Sequence, residues 1–94
     1  MTLGNRPVYV EGDIDCGDWL AARRDKRAVA FEHFVLGFLN GISVGTDTEF
    51  WHADGRRLSR DSVYFWIDNY CRTHSVNPLI TAVTTLFKER SGAQ

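Results

Sequence analysis

Few residues in this chain have side chains suited to chemistry, and their spacing is unhelpful to catalysis. The three histidines are His33, His52 and His74. None belongs to a His-x-x-x-His or Cys-x-x-Cys pattern, so no metal site is expected. Cys71 and His74 are separated by one helical turn, a spacing that suggests a thiol nucleophile beside its base. No third group to orient the imidazole and no oxyanion donor accompanies them, so no catalytic residue is expected. The alternative is a small cytosolic thiol-dependent enzyme or regulator that uses Cys71. The glycines stand singly, which leaves no phosphate-cradling loop, and no cofactor is expected.

The remaining charged groups read first as structural. Asp13, Asp15 and Asp18 crowd the start of a helix, where capping explains them better than cation binding. His33 beside Glu32 reads as a solvated pair, and His74 as a cation at a helix C-terminus. Arg23, Arg24, Lys26 and Arg27 form one basic strip, and Arg56, Arg57 and Arg60 form another. Either strip suits an acidic partner, although both also read as solvated faces. Phe50, Trp51 and His52 are the candidates for partner binding. An exposed aromatic pair between two long helices makes a hot spot, and the competing reading is a lid over the core.

These residues need elements to position them. The organising stretch is Phe31 to Ile42, where Phe31, Phe34, Val35, Phe38, Leu39 and Ile42 recur at helical spacing on one face. We place this central helix at Lys26 to Val44, with Gly45 ending it in left-handed geometry. Gly37 and Gly41 offer a site where a second helix can approach closely. Before it, Asp13 or Asp15 caps a helix over Cys16 to Arg24 that carries Cys16, Trp19, Leu20 and Arg23 on one face. After it, Thr46 and Glu49 fit a capping box leading a short helical turn through Phe50, Trp51 and His52. Ser59 caps the next helix, with Val63, Trp66, Ile67, Tyr70, Cys71 and His74 along its stripe. Asn77 then caps a last helix with Pro78 at its first position, and Leu79, Ile80, Val83, Leu86 and Phe87 face inward.

The expected fold is all-α: a compact bundle of four main helices plus a short helical turn, with an extended N-terminal arm. The arm spans residues 1–13, the single helical domain 14–90 and a frayed tail 91–94. Ninety-four residues with a net charge of −1 lack the basic footprint of a phosphate-backbone binder, so nucleic acid is not an expected partner. No apolar run is long enough to span a bilayer, and no insertion is expected. The opening Met-Thr-Leu-Gly-Asn-Arg-Pro has no basic and then apolar signal region. It reads as a cytosolic start or as a mature fragment whose signal has been removed.

The two cysteines, Cys16 and Cys71, weigh on the compartment. Paired, they close a loop of about 55 residues and constrain the unfolded chain by about 4 kcal/mol in the entropy model. Unpaired, they are two buried thiols of a reducing compartment. Their placement on the core faces of two different helices favours an interhelical disulfide.

Cys16-Gly17-Asp18-Trp19-Leu20 opening a helix, an aromatic-rich central helix, and Tyr70-Cys71-Arg72 on a Ser-capped helix together resemble the HdeA family of periplasmic acid-stress chaperones. The run Phe34-Val35-Leu36-Gly37-Phe38-Leu39-Asn40-Gly41 is similar to the aromatic-x-x-Gly-aromatic-x-x-Gly helix of Tai-type immunity proteins, which neutralise type VI secreted toxins. The two resemblances span about residues 14 to 88. They imply a periplasmic or secreted, non-enzymatic protein that carries a Cys16–Cys71 disulfide and binds another protein. The chain is expected to be a monomer or homodimer.

Overall fold

The computed structural model describes residues 8–53 and 55–92. Its four helices are α1 (Cys16–Arg24), α2 (Val29–Gly45), α3 (Arg60–Thr73) and α4 (Leu79–Ser91), and no strand occurs among the described residues. The all-α bundle is therefore observed. Residues 8–10 of the expected arm are irregular, and Glu11 and Gly12 form a turn. Residues 1–7 of the arm and 93–94 of the tail lie outside the described residues.

Both α1 and α3 start where a short polar side chain takes a backbone donor. Asp15 accepts from the Asp18 N–H at 2.8 Å, and Ser59 accepts from the Ser62 N–H at 3.1 Å. The end of α1 explains why α2 starts later than Lys26. Lys26 is left-handed, with φ 55°, and its N–H and that of Arg27 donate back to the Arg23 and Ala22 carbonyls. That Schellman closure breaks the path, and α2 begins only at Val29. The same device ends α2. Asp47, not Gly45, is left-handed, with φ 51°, while the Asp47 and Thr48 N–H groups donate to the Val44 and Ser43 carbonyls. Aspartate tolerates this conformation better than most residues.

Thr46 is consumed by that closure as the C-cap of α2, so the expected capping box does not form. Glu49 instead accepts from the neighbouring Phe50 N–H, and residues 51–53 make a turn rather than a helix. The start of α4 differs as well. Pro78 is its N-cap, and the Asn77 side chain donates to the Tyr70 hydroxyl. The free N–H groups of α4 are taken from across the chain: Leu79 N–H donates to the Ile14 carbonyl at 2.7 Å, and Ile80 N–H to Asp13 Oδ1 at 3.2 Å. In return, Cys16 and Gly17 N–H donate to the Asn77 and Ser75 carbonyls. The two helix N-termini thus satisfy one another.

The core is one continuous cluster. Cys16 and Trp19 of α1, Val35 and Leu39 of α2, Val63, Ile67 and Cys71 of α3, and Leu79 and Val83 of α4 are fully buried. Cys16 and Cys71 are disulfide-bonded with Cα atoms 5.0 Å apart, tying α1 to α3 inside this cluster. Only Val35, Leu39 and Ile42 of the α2 stripe are buried, while Phe31, Phe34 and Phe38 flank it half-exposed. Gly37 and Gly41 do not receive a second helix: a Cβ built at either meets nothing within 4 Å. Their face is open, and Val8 and Val10 of the arm share its groove with Phe38.

Candidate partner-binding site

The connection between α2 and α3 carries all three candidate binding residues, and the structure separates them. Phe50 is fully buried and stacks on Phe87 of α4, with ring centroids 6.0 Å apart. It is a core residue, in line with the lid reading and not with an exposed aromatic pair. Trp51 stands edge-on to Phe50 at 5.1 Å and is half-buried, while His52 is exposed. The Trp51 indole N–H donates to Asn40 Oδ1 of α2 at 2.9 Å.

Arg90 of α4 fixes the backbone of this loop. Its Nε–H donates to the Phe50 carbonyl at 2.6 Å, and its Nη2 group donates to the Trp51 and Arg56 carbonyls at 3.0 and 3.2 Å. The guanidinium carbon also lies 5.6 Å from the Phe50 ring centre. Leu58 N–H closes the loop on the Trp51 carbonyl at 2.9 Å. A cleft of about 520 Å³ opens beside it, with Leu36, Trp51 and Leu58 as apolar lining and His52, Arg57 and Arg60 at its polar side. That volume suits one or two side chains of a partner. His52 Nδ1 lies 3.0 Å from Glu49 Oε1 at the same rim.

The other candidates are drawn into structure. Cys71 is in the disulfide and offers no thiol to His74. His74 caps α3, stacks on the Tyr70 ring at 4.1 Å, and Tyr70 stacks in turn on Trp66 at 5.5 Å. Glu32 accepts from Arg23 Nη1 at 2.9 Å. Asp13 and Asp15 serve as helix caps, and no group of three His, Cys, Asp or Glu residues is placed to hold a metal ion among the described residues.

A buried ionic network between α1, α2 and α3 went unread in the sequence. Asp68 of α3 is 7% exposed and accepts from the Trp19 indole at 2.8 Å and from Arg23 Nη2 at 2.9 Å. These contacts, chiefly the bond to Asp68, raise the Arg23 pKa above its ordinary range. Burial, reinforced by the charge of Glu32, pushes the Tyr64 phenol up. On the surface, the Arg24 guanidinium holds the Asp25 carboxyl down. The signal for Asp68 was its position: Tyr64, Asp68 and Cys71 share the buried stripe of α3, where a carboxylate needs a cation. Nothing local marks Arg90, whose acceptors lie about 40 residues away in sequence.

No protein-family model, no curated protein and no solved structure matches this chain. Among the described residues, no helix is long and apolar enough to cross a membrane.

Proposed function

We propose that this chain is a non-enzymatic protein-binding module of the periplasm or another secreted setting, of the chaperone or immunity-inhibitor kind. The disulfide at the centre of the core fits an oxidising compartment. The resemblance of its sequence pattern to HdeA-like and Tai-type chains points the same way. One observation carries the binding role: Trp51 is held in place before any partner arrives. Its ring rests on Phe50, its N–H is engaged by Asn40, and its carbonyl is held by Arg90. A half-exposed aromatic fixed in this way loses little conformational freedom on docking, which is what a binding hot spot requires.

The test is quantitative capture from an extract of the native compartment, comparing the wild-type protein with Trp51→Ala. A protein retained in stoichiometric amount by the wild type and lost with the variant is the expected result. The affinity loss should be at least about 2 kcal/mol, as for other aromatic hot spots. Retention indifferent to Trp51, or no retained protein, overturns the reading. The two kinds of role separate in acid. A chaperone loosens and binds an apolar dye at about pH 2 to 3, whereas an inhibitor stays compact.

A further inference from the structure

The arginines of this chain are not equally occupied. Arg23 binds Asp68 and Glu32, Arg24 and Arg27 pair with Asp25, Arg72 donates to Asn69, and Arg90 holds the loop carbonyls. The side chains of Arg57 and Arg60 make no hydrogen bond or ion pair with another described residue, and both border the cleft beside Trp51. Arg60 is also the first residue of α3, a 14-residue helix whose N-terminal end adds positive potential. The carboxylate in the cleft lining is Glu49. Its Oε1 faces His52, and its Oε2 accepts from the Phe50 N–H. Asp61 follows Arg60 in the first turn of α3 but is not among the residues lining the cleft.

We infer that the cleft takes an acidic segment of a partner protein, with a carboxylate between Arg57 and Arg60 and an adjoining apolar side chain on Leu36, Leu58 and Trp51. This rests on the proposed binding role and names the chemistry of the partner. The planar guanidinium matches a carboxylate with two parallel hydrogen bonds, and neither arginine must first be released from an internal partner. The lining is mixed, and Leu36, Leu58 and Trp51 give the apolar side chain of a peptide a seat beside the two arginines, while the net charge of −1 gives no wider field for a nucleic acid.

The probe is the peptide acetyl-Glu-Leu-Glu-amide, titrated into the intact protein and followed by NMR of the Trp51 indole and the arginine Nε–H signals. The inference expects saturable shifts confined to Trp51, Arg57, Arg60 and their cleft neighbours. Affinity should fall at least about tenfold for acetyl-Gln-Leu-Gln-amide, and likewise for Arg57→Gln/Arg60→Gln with the acidic peptide. Both arginines are exposed, so the variant should keep the wild-type circular dichroism. Equal binding of the Gln peptide, shifts centred elsewhere, no shift at all, or tighter occupation of the cleft by an oligothymidylate overturns the inference. Partner capture that depends on Trp51 but is unchanged in the double variant overturns the acidic segment alone. Loss of the Trp51 dependence itself removes the parent reading.

Discussion

The indole N–H of Trp19 donates a 2.8 Å hydrogen bond to Oδ1 of Asp68, joining α1 to α3 across 49 residues of sequence. The bond runs parallel to the disulfide, since Cys16 lies one turn before Trp19 and Cys71 one turn after Asp68. The same two helices are therefore held by a covalent tie and by a buried polar tie. Arg23 completes the second with a bidentate grip on Asp68, its guanidinium carbon 5.4 Å from the Tyr64 ring.

Asp68→Ala leaves the Trp19 N–H and the Arg23 guanidinium without their shared acceptor. The expected loss of stability is about 3 kcal/mol, at the lower end for a broken buried pair because Arg23 is partly exposed. Asp68→Asn keeps an acceptor for the indole and loses less. Urea unfolding with an unchanged m-value reads both, and a loss below about 1 kcal/mol for the alanine variant contradicts the network's role.

Gly37→Ala and Gly41→Ala should stabilise the protein. Neither position has a positive φ, and an added Cβ meets open space, so only the helix-propensity gain remains. Each substitution is worth about 0.5–1 kcal/mol, seen as a rise in Tm of several degrees for a domain of this size. A fall in Tm means that something packs on this face.

Arg90→Met keeps much of the aliphatic stem and removes the grip on the Phe50, Trp51 and Arg56 carbonyls. We expect a loss of about 2 kcal/mol, the scale of hydrogen bonds to a charged group. Hydrogen exchange should quicken in residues 50–58 and change little at the α1–α3 contact. Uniform quickening throughout the chain contradicts a local clamp.

Alkaline pH reports on Tyr64. Its folded pKa is raised by burial and by Glu32, so above about pH 10 the unfolded chain releases the phenolic proton while the folded chain retains it. Stability is unaffected below that point and declines as pH rises from there through the folded pKa. Tyr64→Phe should remove this part of the decline, and an unchanged alkaline slope in the variant contradicts the assignment.

Local signals in the sequence were sufficient where one residue decides the outcome. Ser59 capped α3 as its position implied, Cys16 and Trp19 lay inward at helical spacing, and Leu79, Val83, Leu86 and Phe87 formed the buried stripe of α4. The misses share a cause, which is that the deciding partner is remote or competes for the same residue. Asn77 lost its capping role because Asp13 and Ile14 already serve the α4 terminus. Thr46 could not start a turn while closing α2. Phe50 and Trp51 are adjacent in sequence, yet Phe87 draws one into the core and Asn40 holds the other at the rim. No period or spacing carries that information.

The most direct measurement is thiol trapping of the protein isolated from its native compartment, unfolded in guanidinium with a maleimide and no reductant, then weighed intact. The disulfide-tied bundle predicts no added label, and two labels after reduction, with unfolding eased by about 4 kcal/mol once the Cys16–Cys71 loop is opened. Two labels taken up before reduction would contradict both the covalent tie between α1 and α3 and the oxidising setting inferred from it.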